Sequence, residues 1–165
     1  MYELKPLSTD AIPAALEKAQ RYRLLNEAPE AESICLDVLA CDPGNQDALV
    51  TLILSITDQF REDGLSQHVA RAQELLPGLD SEYARTYYGA LICERRARAH
   101  LSASANALAY AWLVTALREF DRAVAVRPAG NDDAVLRWNA CARSLNRMTA
   151  PASEPEPYDA AIMSE

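Results

Sequence analysis

Four cysteines and two histidines are the side chains best suited to metal binding or nucleophilic chemistry in this 165-residue chain: Cys35, Cys41, Cys93, Cys141, His68 and His100. Their spacing serves neither purpose. A structural zinc site draws its ligands from closely spaced cysteine and histidine pairs, and a dithiol redox centre needs C-x-x-C. No such pair occurs, and both histidines stand alone. Nor does the chain contain a G-x-S-x-G nucleophile turn, a phosphate-binding loop or an H-E-x-x-H helix. Its carboxylates fall mostly at helix starts and exposed positions, where capping and solvation account for them. These residues point to no enzyme, no metal and no cofactor, with reduced thiols in a cytoplasm. The densest cationic run is Arg95, Arg96 and Arg98. Planar guanidinium groups suit a carboxylate, an acidic tail or a phosphate. The same run also suits a solvated helix face that pairs with Glu94 and caps carbonyls at a helix end.

The formal charge of −8 and the isoelectric point near 4.8 argue against a nucleic-acid partner, since phosphate-backbone affinity depends on Lys and Arg releasing counterions. Basic proteins or peptides remain open. Met1 to Asp10 shows no basic segment followed by an apolar one, so it does not read as a secretory signal. Apolar runs such as Ala48 to Ile56 are too short to span a bilayer, so no membrane role is expected. Half the residues are hydrophobic and only 5 are glycine. Ala and Leu are abundant and strand-like alternation is nearly absent, which favours an all-α fold.

The elements that would carry these side chains are helices paired into hairpins. One is expected from about Ala11 to Asn26, with Leu16, Ala19, Tyr22 and Leu25 as its apolar stripe. A second, from about Pro29 to Cys41, presents Ala31, Ile34, Cys35, Val38 and Leu39. Asp42-Pro43-Gly44-Asn45 supplies a stop and then a cap. The next helix, from about Gln46 to Phe60, is the most apolar and is expected to be the most buried. A fourth, from about Gly64 to Leu76, carries Leu65, Val69 and Ala72 before Pro77. Pro43 and Pro77 stand 34 residues apart, each followed by glycine, which is the period of a helical-hairpin repeat.

These residues resemble the tetratricopeptide repeat family, with its two-helix unit, small residues at the helix crossing and a closing proline. The first unit matches at Ala19, Tyr22, Ala31 and Pro43, with Cys35 in place of a large aromatic. The second keeps Leu49, Leu52, Ala72 and Pro77, but Leu65 replaces an alanine. Ala116, Phe120, Ala123 and Pro128 reproduce the pattern A-x3-F-x2-A-x4-P in full. The resemblance covers roughly residues 12–147. It implies a right-handed α-solenoid of about three hairpins in one domain over 1–148, closed by a C-terminal capping helix after Gly130. Pro77 to Pro128 spans 51 residues, 17 beyond the period. The third hairpin is therefore expected to be elongated, with helices at about Ser81 to Ala99 and Ser104 to Val126 around a turn at His100 to Ala103. Leu108, Trp112, Ala116 and Phe120 would extend its apolar stripe, and the added length is about two turns, or roughly 11 Å. Trp138 replaces a small residue, which suits a terminal cap rather than a repeat opener. Thr149 to Glu165, with Pro151, Pro155 and Pro157 among four acidic residues, reads as a disordered acidic tail. Its Tyr158, Ile162 and Met163 can serve as docking residues.

The resemblance places ligand-facing positions on the first helix of each hairpin: Leu16, Gln20 and Arg23; Val50, Leu54 and Thr57; Ala84, Tyr88 and Leu91. Family members that grip a terminal carboxylate use Lys and Asn where this chain has Leu16 and Gln20, so that clamp is missing. A mainly apolar face with a tyrosine suits a helix or an extended apolar segment, or else belongs to the core of a short stack. Two readings follow. One is a cytoplasmic, non-enzymatic adaptor for a protein or peptide, with Arg95, Arg96 and Arg98 as a second contact. The other is a self-assembly module, a homodimer for example, that covers its own ends. A small-molecule or enzymatic role ranks third.

Overall fold

Proline and asparagine positions set most of the helix boundaries in the computed structural model, which describes residues 2–61 and 63–148. Among these residues the secondary structure is entirely helical. Seven α-helices follow in order: α1 (Ile12–Leu24), α2 (Ala28–Cys41), α3 (Gln46–Asp58), α4 (Leu65–Glu74), α5 (Glu82–Ser102), α6 (Asn106–Ala125) and α7 (Asp133–Leu145). Pro13 and Pro29 sit in the first turns of α1 and α2, where a missing N–H costs nothing. The chain divides into two compact units, Met1–Phe60 with Ser66–Asp80, and Arg61–Leu65 with the residues from Ser81 onward.

In the first unit α2 packs on both α1 and α3, and α1 reaches α3. Ile12, Leu16, Val38 and Ala48 form one buried cluster, with Leu7, Ala15 and Leu39 against it. Ala19, Ala31 and Cys35 are fully enclosed, so small side chains let the helices approach. Leu25, expected in the α1 stripe, lies past the helix end and is exposed. As expected, α3 is deeply buried, with Ala48, Leu49, Thr51, Leu52, Ile53, Ser55, Ile56 and Thr57 all enclosed. Its buried hydroxyls are satisfied locally: Ser55 Oγ donates to Thr51 O at 2.7 Å and Thr57 Oγ1 to Leu54 O at 2.9 Å.

The 34-residue period has a physical counterpart in Gln46. Its Nε2 donates to Gly44 O and to Gly78 O, each at 3.1 Å, and its Oε1 accepts from Asp80 N at 3.0 Å. One side chain thus ties together the two proline-glycine turns. Pro77 does not simply follow a helix. It lies in a short 3-10 turn, Leu76–Gly78, after α4 ends at Glu74. Asn45 caps α3, its Oδ1 accepting from Ala48 N at 2.9 Å. The Asn45→Ala variant should lose about 1 kcal/mol of stability in urea denaturation, and Asn45→Asp should keep most of it.

In the second unit α6 lies between α5 and α7, packing on each. The lengthening expected of this hairpin is present: α5 has 21 residues and α6 has 20, against 13 and 14 for α1 and α2. Its turn comes later than the sequence suggests, at Ala103 to Ala105. The reason is that α5 ends as α1 does, on a non-glycine residue in the left-handed conformation. Asn26 and Ser104 both have φ near 61°. The next N–H in each case reaches five residues back, Glu27 N to Tyr22 O and Ala105 N to His100 O, at 2.9 Å. This double closure satisfies carbonyls that a helix end leaves open. The buried stripe of α6 is Ala109, Leu113, Ala116, Phe120 and Ala123. Leu108 is therefore exposed and Trp112 half-buried, one residue off the expected line. At the start of α7, Asn131 Oδ1 accepts from Asp133 N and from the Tyr83 hydroxyl, each at 3.0 Å. The tail at 149–165 lies outside the described residues.

Candidate partner-binding surfaces

The positions carried over from the repeat resemblance separate by burial. Leu16, Thr57 and Leu91 are enclosed and offer no surface to a partner. Gln20 is exposed, and Val50 and Leu54 are half-buried. Arg23 is committed internally, with its Nε 2.8 Å and its terminal nitrogen 2.7 Å from Asp58 Oδ2. That ion pair joins α1 to the end of α3. Beside it Glu32 accepts from Gln59 Nε2 at 2.6 Å and pairs with Arg71 of α4. The polar residues at this end of the first unit therefore hold its helices together. In the second unit Ala84 and Tyr88 are half-buried. Tyr88 meets Tyr87 edge-on at 5.1 Å, and Tyr87 stacks on Tyr83 at 5.6 Å and touches Phe120 at 5.9 Å.

The arginine run is built into the second unit. Glu94 is 1% exposed. Its Oε1 pairs with Arg98 one turn on and lies 3.4 Å from the Arg137 guanidinium of α7. Burial pulls the Arg137 pKa down, but the Glu94 carboxylate and a hydrogen bond with Tyr87 outweigh it, and the net shift is upward. Arg96 lies over the Trp112 ring with its central carbon 3.9 Å from the centroid, a stacking worth about 0.5–2 kcal/mol. Arg95 is half-buried. The sequence offers Glu94 as a partner for this run; the structure adds Trp112 against Arg96 and brings Arg137 to Glu94, neither of which sequence spacing places near.

The cysteines stand apart in reactivity. Burial pushes the Cys35 thiol up to about 11 and those of Cys93 and Cys141 up to about 12. Cys41 is exposed, and its thiol donates to Leu7 O at 3.1 Å. Alkylation near pH 8 should therefore label Cys41 first, by at least about tenfold in rate over the buried thiols, as read by peptide mass spectrometry. Raising the pH has a second effect. Above the ordinary thiol value of 9.0 the unfolded chain loses protons that the folded chain keeps. The folded state then binds more protons, so its stability should fall between about pH 9 and 12. Melting curves across that range check the sign.

Among the described residues, no group of three or more His, Cys, Asp or Glu side chains is placed to hold a metal ion. No described helix is long and apolar enough to cross a membrane. No family model, curated protein or solved structure matches the chain.

Proposed function

We propose that this chain is a non-enzymatic scaffold of tetratricopeptide type, a right-handed α-solenoid of about three hairpins capped by α7. It holds a protein or peptide through the first helix of its hairpins, in a cytoplasm. The observation that carries this reading is the burial of the repeat signature. Ala116, Phe120 and Ala123 are each 0% exposed, as are Ala19, Ala31 and Ala72. Small residues enclosed at those positions are what close helix crossing requires. The ligand-facing residues left accessible are Gln20, Val50 and Leu54 in the first unit, and Ala84 and Tyr88 in the second. Within each unit these residues have the apolar and amide character that suits an apolar helical or extended segment. The four free thiols accord with a reducing compartment.

The test is site-specific photo-cross-linking in extract, with a benzophenone side chain at Leu54, at Tyr88, or at Leu24, which is 85% exposed at the end of α1. One defined adduct from Leu54 and Tyr88, absent from Leu24, supports the reading. Adducts of the same pattern from all three positions, or from none, oppose it. Changing Arg95, Arg96 and Arg98 to Glu is a poor probe of binding, because Arg96 and Arg98 also hold the second unit together.

A further inference from the structure

The net charge of −8 is unevenly distributed along the chain, although the second unit as a whole is near neutral, with eleven arginines against twelve carboxylates. The first unit carries twelve carboxylates against five Lys or Arg, whereas residues 81–148 carry ten arginines, no lysine and only six carboxylates. Two helix faces express this contrast with no partner of their own. On α2 the side opposite buried Ala31, Cys35 and Val38 presents Glu30, Ser33, Leu36 and Ala40, with Glu27 just before the helix. On α7 the side opposite buried Ala134 and Cys141 presents Leu136 and Arg143, with Arg147 in the turn beyond. Leu36 is 49% and Leu136 is 64% exposed. Among the described residues, Glu27, Glu30, Arg143 and Arg147 form no ion pair.

The spacings match in one orientation. At 1.5 Å per residue, Glu30 lies about 9 Å before Leu36 and Glu27 about 13 Å before it. Arg143 lies about 10 Å after Leu136, and Arg147 about 16 Å after it. We infer that α2 of one copy docks antiparallel on α7 of a second copy, Leu36 against Leu136, Glu30 facing Arg143 and Glu27 facing Arg147. The single leucine pair gives little apolar area, so the contact is weak and its selectivity is electrostatic. Two different faces meet, so the same contact either closes a pair by being made twice or continues into longer assemblies. This inference does not depend on the peptide-binding reading, which uses other helices.

The experiment is sedimentation velocity on the full chain from micromolar to about millimolar concentration, in about 20 mM and about 500 mM salt. The average mass should rise with concentration in low salt and return to the monomer in high salt. The variant R143E/R147E and the variant E27R/E30R should each weaken association at least about tenfold. An equimolar mixture of the two should restore it, because each then carries the complement of the other. Circular dichroism confirms that both variants fold. A monomer under every condition overturns the inference, and so does association that survives either reversal. A monomer whose hydrodynamic radius contracts in low salt also overturns it, by placing the chain's own acidic tail on α7.

Discussion

Arg98→Ala combined with Arg137→Ala is expected to destabilise the second unit by about 3–5 kcal/mol, the cost of leaving a buried carboxylate without its counter-charges. Glu94 sits at 1% exposure, and its Oε2 has no hydrogen-bond partner among the described residues. All of its compensation therefore reaches it through Oε1. The reverse deletion should cost less. In Glu94→Gln the two arginines keep side chains 52% and 34% exposed and can turn toward water, so about 1.5–3 kcal/mol is expected. Adding Glu94→Met to the double arginine variant should recover most of the loss, since an apolar side chain needs no partner there. Both tryptophans, Trp112 and Trp138, lie in this unit, so their fluorescence in urea follows its unfolding. A double arginine variant that loses less than about 1 kcal/mol would show that the carboxylate is reached by water instead.

Phe120→Ala should cost a similar amount, about 3–5 kcal/mol. The ring is fully enclosed and packs beside Tyr87, whose hydroxyl helps to raise the Arg137 pKa. A cavity at Phe120 therefore loosens the aromatic stack and reaches the Glu94 ion pairs. For this reason Phe120→Ala and Arg137→Ala should combine non-additively, with a coupling of about 0.5–3 kcal/mol. Leu136→Ser, at an open site on α7, should change stability by no more than about 0.5 kcal/mol. Equal losses at Phe120 and Leu136 would contradict the burial described for α6 and α7.

The features most legible from sequence are those controlled by short-range chemistry. Pro29 opens α2, Asn45 caps α3, and the excess length between Pro77 and Pro128 appears as a longer hairpin, because caps and prolines act within a turn of the backbone. Periodicity also identifies the enclosed faces of α2 and α3. It does less well along α6, where Leu108 and Trp112 extend a plausible stripe but the buried line runs through Ala109 and Leu113. Both lines are apolar, and only the packing of α5 and α7 on α6 selects between them. Glu94 is the clearest limit. Within a run of arginines, a carboxylate resembles one half of a surface ion pair. Its burial depends on Arg137, 43 residues away. Likewise, the resemblance identifies a face on each first helix, but not which of its members the core absorbs. Leu16, Thr57 and Leu91 are absorbed and Gln20 is not.

With no lysine, residues 81–148 carry their positive charge entirely on arginine. Guanidinium groups stay protonated at any pH the fold survives, and acetyl transfer acts on amines that this segment lacks. The only lysines, Lys5 and Lys18, are exposed and belong to the first unit. Neither acetylation nor a change of pH within the range the fold survives therefore removes charge from these arginines. Amine-directed coupling to a sensor surface through Lys5 and Lys18 would tether the chain by its acidic unit and leave the arginine-bearing side chains unmodified.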